Sequence, residues 1–406
     1  MPPFLTMDEL DTHGRTVLVR VDLNSPIGPS GEILDDIRFR GHIPTIKALD
    51  DAKTVLLSHQ SRPGKRDFTT LKRHGERLSS LIKKNVTYVD SIYGHQVRHT
   101  IQAMNKGDVV LLENVRFSAE EVLKAPLEDL AKTYLVRDLA LVCDLYLNDA
   151  FGTAHRAQTS IVAFPLALTS GAGKLMEKEV AMLTQALTSS QRPRLFMLGG
   201  TKADDSIKVI EHVLSNESAD EVLVTGLVAN VFLAASGVDI GSPSLDYIKS
   251  SGYEHYIEIC NKLLGKYDGK IITPIDVALN DQGKRIEAPV SALPKPHPIQ
   301  DIGIESIVAY SAKLKNAGTV VINGPAGVFE QKEFALGTYE TLKAAAQAKF
   351  SILGGGHIAA AARNIGIDKH ITHISTGGGA CIDFLAGEIL PGIQALVDAK
   401  ARQVEC

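Results

Sequence analysis

Two sets of residues in this chain have types and spacing suited to phosphate chemistry. The first is basic. Arg38, His59, Arg62, Arg116 and Arg156 each stand at or just past the end of an apolar run or the start of a helical pattern. A guanidinium is a planar fork that grips phosphate or carboxylate through two hydrogen bonds. One such arginine is an ordinary surface residue. Several at equivalent positions describe a surface for a small, strongly anionic molecule. Asp22 and Asn24, in Arg20-Val-Asp-Leu-Asn24, can accept from and donate to a polyol or carboxylate. The second set is glycine. Gly199 and Gly200, Gly226, Gly354 to Gly356 and Gly377 to Gly379 each follow a short apolar run and precede a helical pattern. Glycine lets backbone turn sharply and approach a ligand closely. A helix beginning there aims unpaired N–H groups and the positive end of its dipole at an anion. Lys202 adds a point charge able to reach a phosphate. Glu330, after the Asn323-Gly-Pro-Ala-Gly turn, can hold a ribose hydroxyl.

The elements that position these residues follow from hydropathy. Unbroken apolar, β-branched runs recur between helical patterns. In the first half they are 16–21, 54–57, 86–89, 109–112 and 145–147. In the second they are 195–198, 222–224, 271–272, 320–322, 351–353 and 371–374. Such runs predict parallel strands buried on both faces. Two series predict an α/β chain of two Rossmann-like domains joined by a helical hinge. The expected domains are 1–170 and 171–390. The uncharged stretch 157–173 reads as the connection, and a helix over about 174–187 as the lever, its stripe being Met176, Val180, Leu183 and Leu187. The tail 391–406, helical over about 393–403, is expected to return to the first domain. The uncharged stretch Val222–Val238 reads as strand, glycine turn and buried helix, since it is short for a membrane span and holds Asn230 and two glycines.

Composition limits the function. Hydrophobic residues are 44% and charged residues 22% of the 406, ordinary for a soluble protein. The net charge of −4 argues against bulk nucleic-acid binding. Residues 11–85 run the other way, with 14 Lys and Arg against 9 Asp and Glu. The four cysteines, Cys143, Cys260, Cys381 and Cys406, form no CxxC pair and suit a reducing cytosol. The N-terminus carries no secretory signal pattern, so a cytoplasmic enzyme without membrane or nucleic-acid partners is expected. There is no G-x-x-x-x-G-K-[ST], which excludes a P-loop NTPase. No G-x-G-x-x-G follows the first strand, which disfavours a dinucleotide fold.

In order along the chain stand RVDLNSP, SHQSRPG, LLENVRF, NDAFGTAHR, LGGTK, NGPAGVFE, GGGH and STGGGA. These eight motifs, spread over about 16–390, resemble the phosphoglycerate kinase family, and the spellings GGGH and GGTKADDS resemble its archaeal branch. The resemblance implies phosphoryl transfer between 1,3-bisphosphoglycerate and ADP, giving 3-phosphoglycerate and ATP in glycolysis. It also implies Mg²⁺ with ATP or ADP, and a monomer or homodimer. By motif, Asp22, Leu23, Asn24, Arg38, His59, Gln60, Ser61, Arg62, Arg116 and Arg156 are expected at the acid. Gly199, Gly200, Lys202, Gly226, Asn323, Pro325, Glu330, Gly354, Gly355, Gly356, His357 and Ile358 are expected at the nucleotide. Arg38, Lys202 and Gly377 to Gly379 are expected at the phosphoryl group in flight.

The chain departs from the family pattern twice. Ser206 stands where most members have lysine, and His357 where most have a metal-binding aspartate. Mg²⁺ prefers oxygen ligands, so Asp205 is the expected protein partner of the metal. Two other readings are open to the same residues: a non-catalytic phospholigand sensor, which the presence of Arg38 and Lys202 disfavours, and a kinase of another small acid, which the full arginine set disfavours.

Overall fold

The apolar runs become the strands of two parallel sheets in this computed structural model, which describes residues 2–404. The chain divides into two compact units. One runs to Ala181 and takes back the chain from Ile389 on; the other is Met182–Glu388.

In the first unit the strands are β1 (Thr16–Arg20), β2 (Lys53–Leu57), β3 (Val86–Val89), β4 (Val109–Leu112), β5 (Leu145–Asn148) and β6 (Thr169–Ala172). They lie side by side in the order β3-β4-β2-β1-β5-β6, every pair parallel. Side chains alternate across a sheet with a period of two. Leu18, Val55, Leu57, Val110 and Leu112 accordingly feed one core, and Val17, Val19, Leu56, Val109 and Leu111 feed the other. Burying each such side chain contributes about 1.5–3 kcal/mol.

The stretch 157–173 is not a linker. It forms the helices Thr159–Val162 and Phe164–Ala167 and the edge strand β6. Its lack of charge reflects burial: Ser160, Ile161, Phe164 and Ser170 are fully covered. Gly171 and Gly173 are close-contact positions, where an added Cβ would lie 3.0 Å from the Leu5 carbonyl and 2.2 Å from Asp149 Oδ1. The contact division consequently falls later than residue 170, inside the helix Lys174–Thr188. The terminal helix Pro391–Val404 lies on β6 and the two short helices before it. Leu396 and Ala399 are buried there, and Gly392 N–H donates to the Ala154 carbonyl at 2.8 Å. Positions 405 and 406 of the expected tail, with Cys406, lie outside the described residues.

The start of the helix Lys174–Thr188 is tied to the end of β1. Asp149 Oδ1 accepts the N–H groups of Leu175 and Met176 at 2.9 and 3.4 Å, as a carboxylate does at a helix N-terminus. Its Oδ2 lies 2.7 Å from His42 Nδ1. His42 Nε2 accepts the Asp22 N–H at 2.9 Å, which leaves Nδ1 as the protonated nitrogen. His42 and Asp149 are both buried.

The second unit holds β7 (Arg194–Leu198), β8 (Glu221–Val224), β9 (Ile271–Ile272), β13 (Thr319–Asn323), β14 (Phe350–Gly354) and β15 (His373–Ile374), ordered β15-β14-β13-β7-β8-β9 and again all parallel. Leu195, Met197, Leu223, Val320, Ile322 and Leu353 share its core. Val222–Val238 resolves as expected into β8, a turn at Gly226 and the buried helix Gly226–Ala235. No described helix is long and apolar enough to cross a membrane. A second, antiparallel sheet was not expected: β10 (Asp276–Asp281), β11 (Lys284–Pro289) and β12 (Ile299–Ile302), ordered β11-β10-β12. β11 reads KRIEAP and is mostly exposed, so it carries no apolar run to mark it.

Candidate functional site

In an open parallel sheet, ligands sit beyond the carboxyl ends of the strands. In the first unit that edge carries the basic set. Asp22 and Asn24 follow β1, the segment 58–62 follows β2, Arg116 follows β4 and Arg156 follows β5. Arg38 is the second residue of the helix Ile37–Ala48, and its Nη1 donates to Asp22 Oδ2 at 2.5 Å. Asp22 is buried. Burial pulls its carboxyl up, but the surrounding positive charge, Arg38 foremost, outweighs it and holds the group well below the usual carboxylate range.

The arginines feel one another. Burial, then the charges of Arg156 and Arg20, push Arg116 down to about 10. Arg156 is pushed down by burial and by the charges of Arg20, Arg38 and Arg62, with Asp22 acting in the opposite sense. Arg116 Nε is buried with no hydrogen-bond partner among the described residues. His59 is buried, and that burial pushes its imidazole well below its ordinary value. Several partly desolvated cations at mutual range form a site whose repulsion a polyanion relieves.

Three neighbours in these turns have other work. Leu23 is fully buried in the core, and its N–H donates to Ser58 Oγ at 3.0 Å. Gln60 uses both ends of its amide: Oε1 accepts from Ser25 N–H and lies 3.0 Å from His74 Nε2, while Nε2 donates to the carbonyls of Ser25 and Asp67. It holds the loops in place. Ser61 sits at φ 55, a left-handed conformation uncommon outside glycine. Asn24 Oδ1 accepts its N–H at 2.8 Å, and its carbonyl accepts from Arg116 Nη1. Asn24 is half-buried, and this bond uses its amide oxygen rather than its N–H₂.

The second unit contains a pocket of about 740 Å³, within the usual size for small-molecule sites. Gly199, Gly200, Lys202 and Gly226 line one part of it, and Asn323, Pro325 and Glu330 another. Gly354, Gly355, Gly356, His357 and Ile358 line a third, with Gly378 and Gly379 beside them. The glycines divide by role. At the floor they permit backbone contact: Gly200 N–H donates to the Pro325 carbonyl at 2.8 Å and Gly226 N–H to the Ala326 carbonyl at 3.0 Å. A Cβ on Gly226 would stand 2.8 Å from Gly200 N. At the mouth, Cβ atoms on Gly356 and Gly378 would meet nothing within 4 Å, which leaves that backbone open to a ligand. Gly377 is buried, its N–H donating to Ser375 Oγ at 3.1 Å. The helix after it, Gly379–Leu385, has seven residues, so its local N–H groups matter more than a long helix dipole.

The polar groups of this pocket suit a nucleotide. Asn323 Nδ2 is buried with no hydrogen-bond partner among the described residues, beside Gly354. Lys202 immediately precedes the helix Ala203–Ser215 and is largely exposed, its Nζ 3.7 Å from Asp205 Oδ2. Glu330 and His357 are exposed, and the His357 ring centroid lies 6.3 Å from that of Phe329. Asp205 is half-buried and outside the pocket lining.

The model of the family described as phosphoglycerate kinase matches residues 7–388. The chain belongs to the phosphoglycerate kinase family. Curated phosphoglycerate kinases agree along nearly the whole length: that of Methanosarcina mazei is 55% identical over 403 residues, covering 99% of this chain and 97% of the relative. That of Methanocorpusculum labreanum is 52% identical over 397 residues, covering 98% of each. Among solved structures, phosphoglycerate kinase from Pyrococcus horikoshii OT3 superposes with a TM-score of 0.91 at 42% identity, covering 98% of this chain and 100% of that one. The Coxiella burnetii enzyme gives 0.82 at 32% identity with the same coverage. The α/β fold of two parallel sheets and the assignment as a kinase, a phosphotransferase, are thereby shown.

Within this phosphoglycerate kinase chain, sequence reasoning passed over the buried polar layer under the basic edge: Arg20, His42, Glu121, Asp149 and Ser160. Arg20 had a signal, since it closes the otherwise apolar strand Thr-Val-Leu-Val-Arg. It also passed over pocket residues contributed by the antiparallel sheet, among them Val277, Ile299 and Gln300.

Proposed function

We propose that the basic edge of the first unit holds 3-phosphoglycerate or 1,3-bisphosphoglycerate, and that the glycine-lined pocket of the second holds ADP or ATP. The observation that carries this reading is the pairing, in one chain, of a mutually repelling arginine set with a separate nucleotide-sized pocket that Lys202 helps to line. Asp22, Asn24, His59, Arg62, Arg116 and Arg156 bind and orient the acid. Asn323 donates to a phosphate oxygen and Glu330 accepts from the ribose. Arg38 neutralises the acid's carboxylate and the moving group, while Lys202 and the backbone of the Gly377–Gly379 turn neutralise its equatorial oxygens. A carboxylate oxygen and a β-phosphate oxygen stand on either side of the phosphoryl group. Transfer in line between them needs no covalent enzyme intermediate, and catalysis is positioning plus charge neutralisation. The ligands are assigned to two units, so the reaction includes a closing step, which also keeps water from the acyl phosphate. The enzyme works in the cytoplasm as a monomer or homodimer. A coupled assay tests the reading: the purified protein is expected to form ATP from ADP and 1,3-bisphosphoglycerate, and absence of turnover with this acid beside turnover of another would overturn the substrate assignment.

Mg²⁺ bound with the nucleotide would neutralise phosphate charge, and the donor set allows Asp205 to assist it. Asp205 is a carboxylate three residues beyond Lys202, in the first turn of the same helix, with Oδ2 3.7 Å from Lys202 Nζ. His357, an exposed imidazole, is a poor ligand for this ion. Asp205→Asn is expected to raise the Mg²⁺ concentration needed for half-maximal rate, with much of the activity recovered at high Mg²⁺ and thermal stability little changed. His357→Asp is expected to lower that concentration. Loss of Mg²⁺-nucleotide binding in His357→Ala would instead make the imidazole a ligand and reverse the assignment.

A further inference from the structure

Beneath the acid site lies a charged group that the phosphoryl-transfer scheme does not use. The side chains of Arg20 and Glu121 are both fully buried, 3.9 Å apart. Burying such a pair is costly, and apolar residues of similar volume often serve stability as well or better. The pair is therefore best explained by what it holds. Arg20 Nε donates to Ser160 Oγ at 2.8 Å, and Nη1 donates to the Val21 carbonyl. Ser160 is fixed in turn: its Oγ donates to Glu121 Oε1 and its N–H to Glu121 Oε2, each at 2.8 Å, and its carbonyl accepts from Tyr146 at 2.8 Å. The guanidinium is thus locked in orientation, with Nη2 aimed at His59 Nδ1, 3.2 Å away.

A guanidinium carries donors and no acceptor, and it does not give up its proton. His59 Nδ1 must therefore present its lone pair, and the ring's proton must sit on Nε2. Asp22 Oδ1, 4.0 Å from the same nitrogen, is beyond hydrogen-bond reach and does not compete. We propose that Arg20, held by Ser160 and Glu121, is a positioning residue that fixes His59 as its neutral Nε2–H tautomer, so that the ring offers the acid a hydrogen-bond donor. The inference rests on the reading of His59 as an acid-binding residue. The tautomer itself follows from the buried geometry alone.

Nitrogen-15 NMR of histidine-labelled protein, with the His59 signals assigned by their loss in His59→Gln, tests this directly. In the ligand-free wild type the expected result is a pyridine-type Nδ1 and a pyrrole-type Nε2. The reverse pattern, or a mixture, overturns the proposal without need of any further variant. Arg20→Met/Glu121→Gln removes both buried charges together and retains an acceptor for Ser160, which keeps the chain foldable. In that variant His59 is expected to populate both tautomers. The KM for 3-phosphoglycerate is expected to rise roughly ten- to a hundredfold, the worth of one hydrogen bond to a charged group, with the nucleotide KM unchanged. A folded double variant that keeps the wild-type tautomer also overturns the proposal. A changed tautomer with an unchanged acid KM would leave Arg20's role standing and count against His59 as a ligand of the acid.

Discussion

Arg38→Ala is expected to lower kcat by roughly a hundredfold to a thousandfold with the circular dichroism spectrum unchanged, the usual consequence of removing one preorganised charge donor. Its guanidinium is anchored at one nitrogen and still partly open. About a third of the side chain is exposed, and its bond to Asp22 leaves other donors of the fork for a ligand. Arg116, by contrast, is committed to the Ser61 carbonyl and to Gln158 Oε1. Position reinforces this: Arg38 stands in the first turn of a helix that the buried His42 and Thr45 anchor, so the side chain projects from a rigid base. A modest loss of stability should accompany the substitution. The Asp22 carboxyl is depressed in the folded chain, so it contributes stability above its unfolded value of about 3.9 that is lost as pH falls toward the folded value. Removing Arg38 takes away the leading charge behind that depression. Arg38→Lys keeps a charge but loses the planar fork, and should recover only part of the rate. A fall in kcat of less than about tenfold in a folded Arg38→Ala protein would remove this residue from the mechanism.

What was legible in the chain follows from what each signal depends on. Strand runs depend on burial of consecutive residues, so β1, β2, β4, β7, β13 and β14 stood out with ends near those observed. Arg62, Arg116 and Arg156 stood out together, since several cations just past the strand ends of one sheet are unlike scattered surface arginines, and Arg38 stood out at a helix start. Gln60 and Leu23 are expected at the acid by motif, and what no motif announces is that the Gln60 amide also holds the turn, Oε1 accepting from Ser25 N–H and Nε2 donating to the Ser25 and Asp67 carbonyls. Arg20, Glu121 and Ser160 meet only through the fold. Their partners lie as far as 140 positions apart, and nothing local to Arg20 announces Ser160. The stretch 157–173 shows a different ambiguity. Absence of charge marks either a connection or a buried edge, and only pairing of β6 with β5 decides between them. The antiparallel sheet was illegible for the opposite reason, since its outer strand is polar and open to solvent.

Lys202→Ala is expected to cost kcat on the same scale, roughly a hundredfold to a thousandfold, with little effect on stability. The ammonium is about two-thirds exposed, and its ion pair with Asp205 spans 3.7 Å. A pair so solvated contributes little to folding. The same charge acts differently once a nucleotide fills the pocket and water leaves, because lower effective dielectric strengthens its pull on phosphate oxygens. Its placement makes it suited to a group in motion. It stands at the N-cap position of the helix Ala203–Ser215, following a turn whose φ at Gly200 is +77, so the backbone is held while the long side chain can follow the phosphoryl group. Ser206, one turn further on and buried, offers no charge that would replace it. Separating kcat from KM decides the role. A charge that acts on the equatorial oxygens only as they approach the transition state lowers kcat and leaves the nucleotide KM nearly unchanged. A rise in nucleotide KM with kcat intact would make Lys202 a ground-state anchor and shift the charge neutralisation to Arg38 and the Gly377–Gly379 backbone.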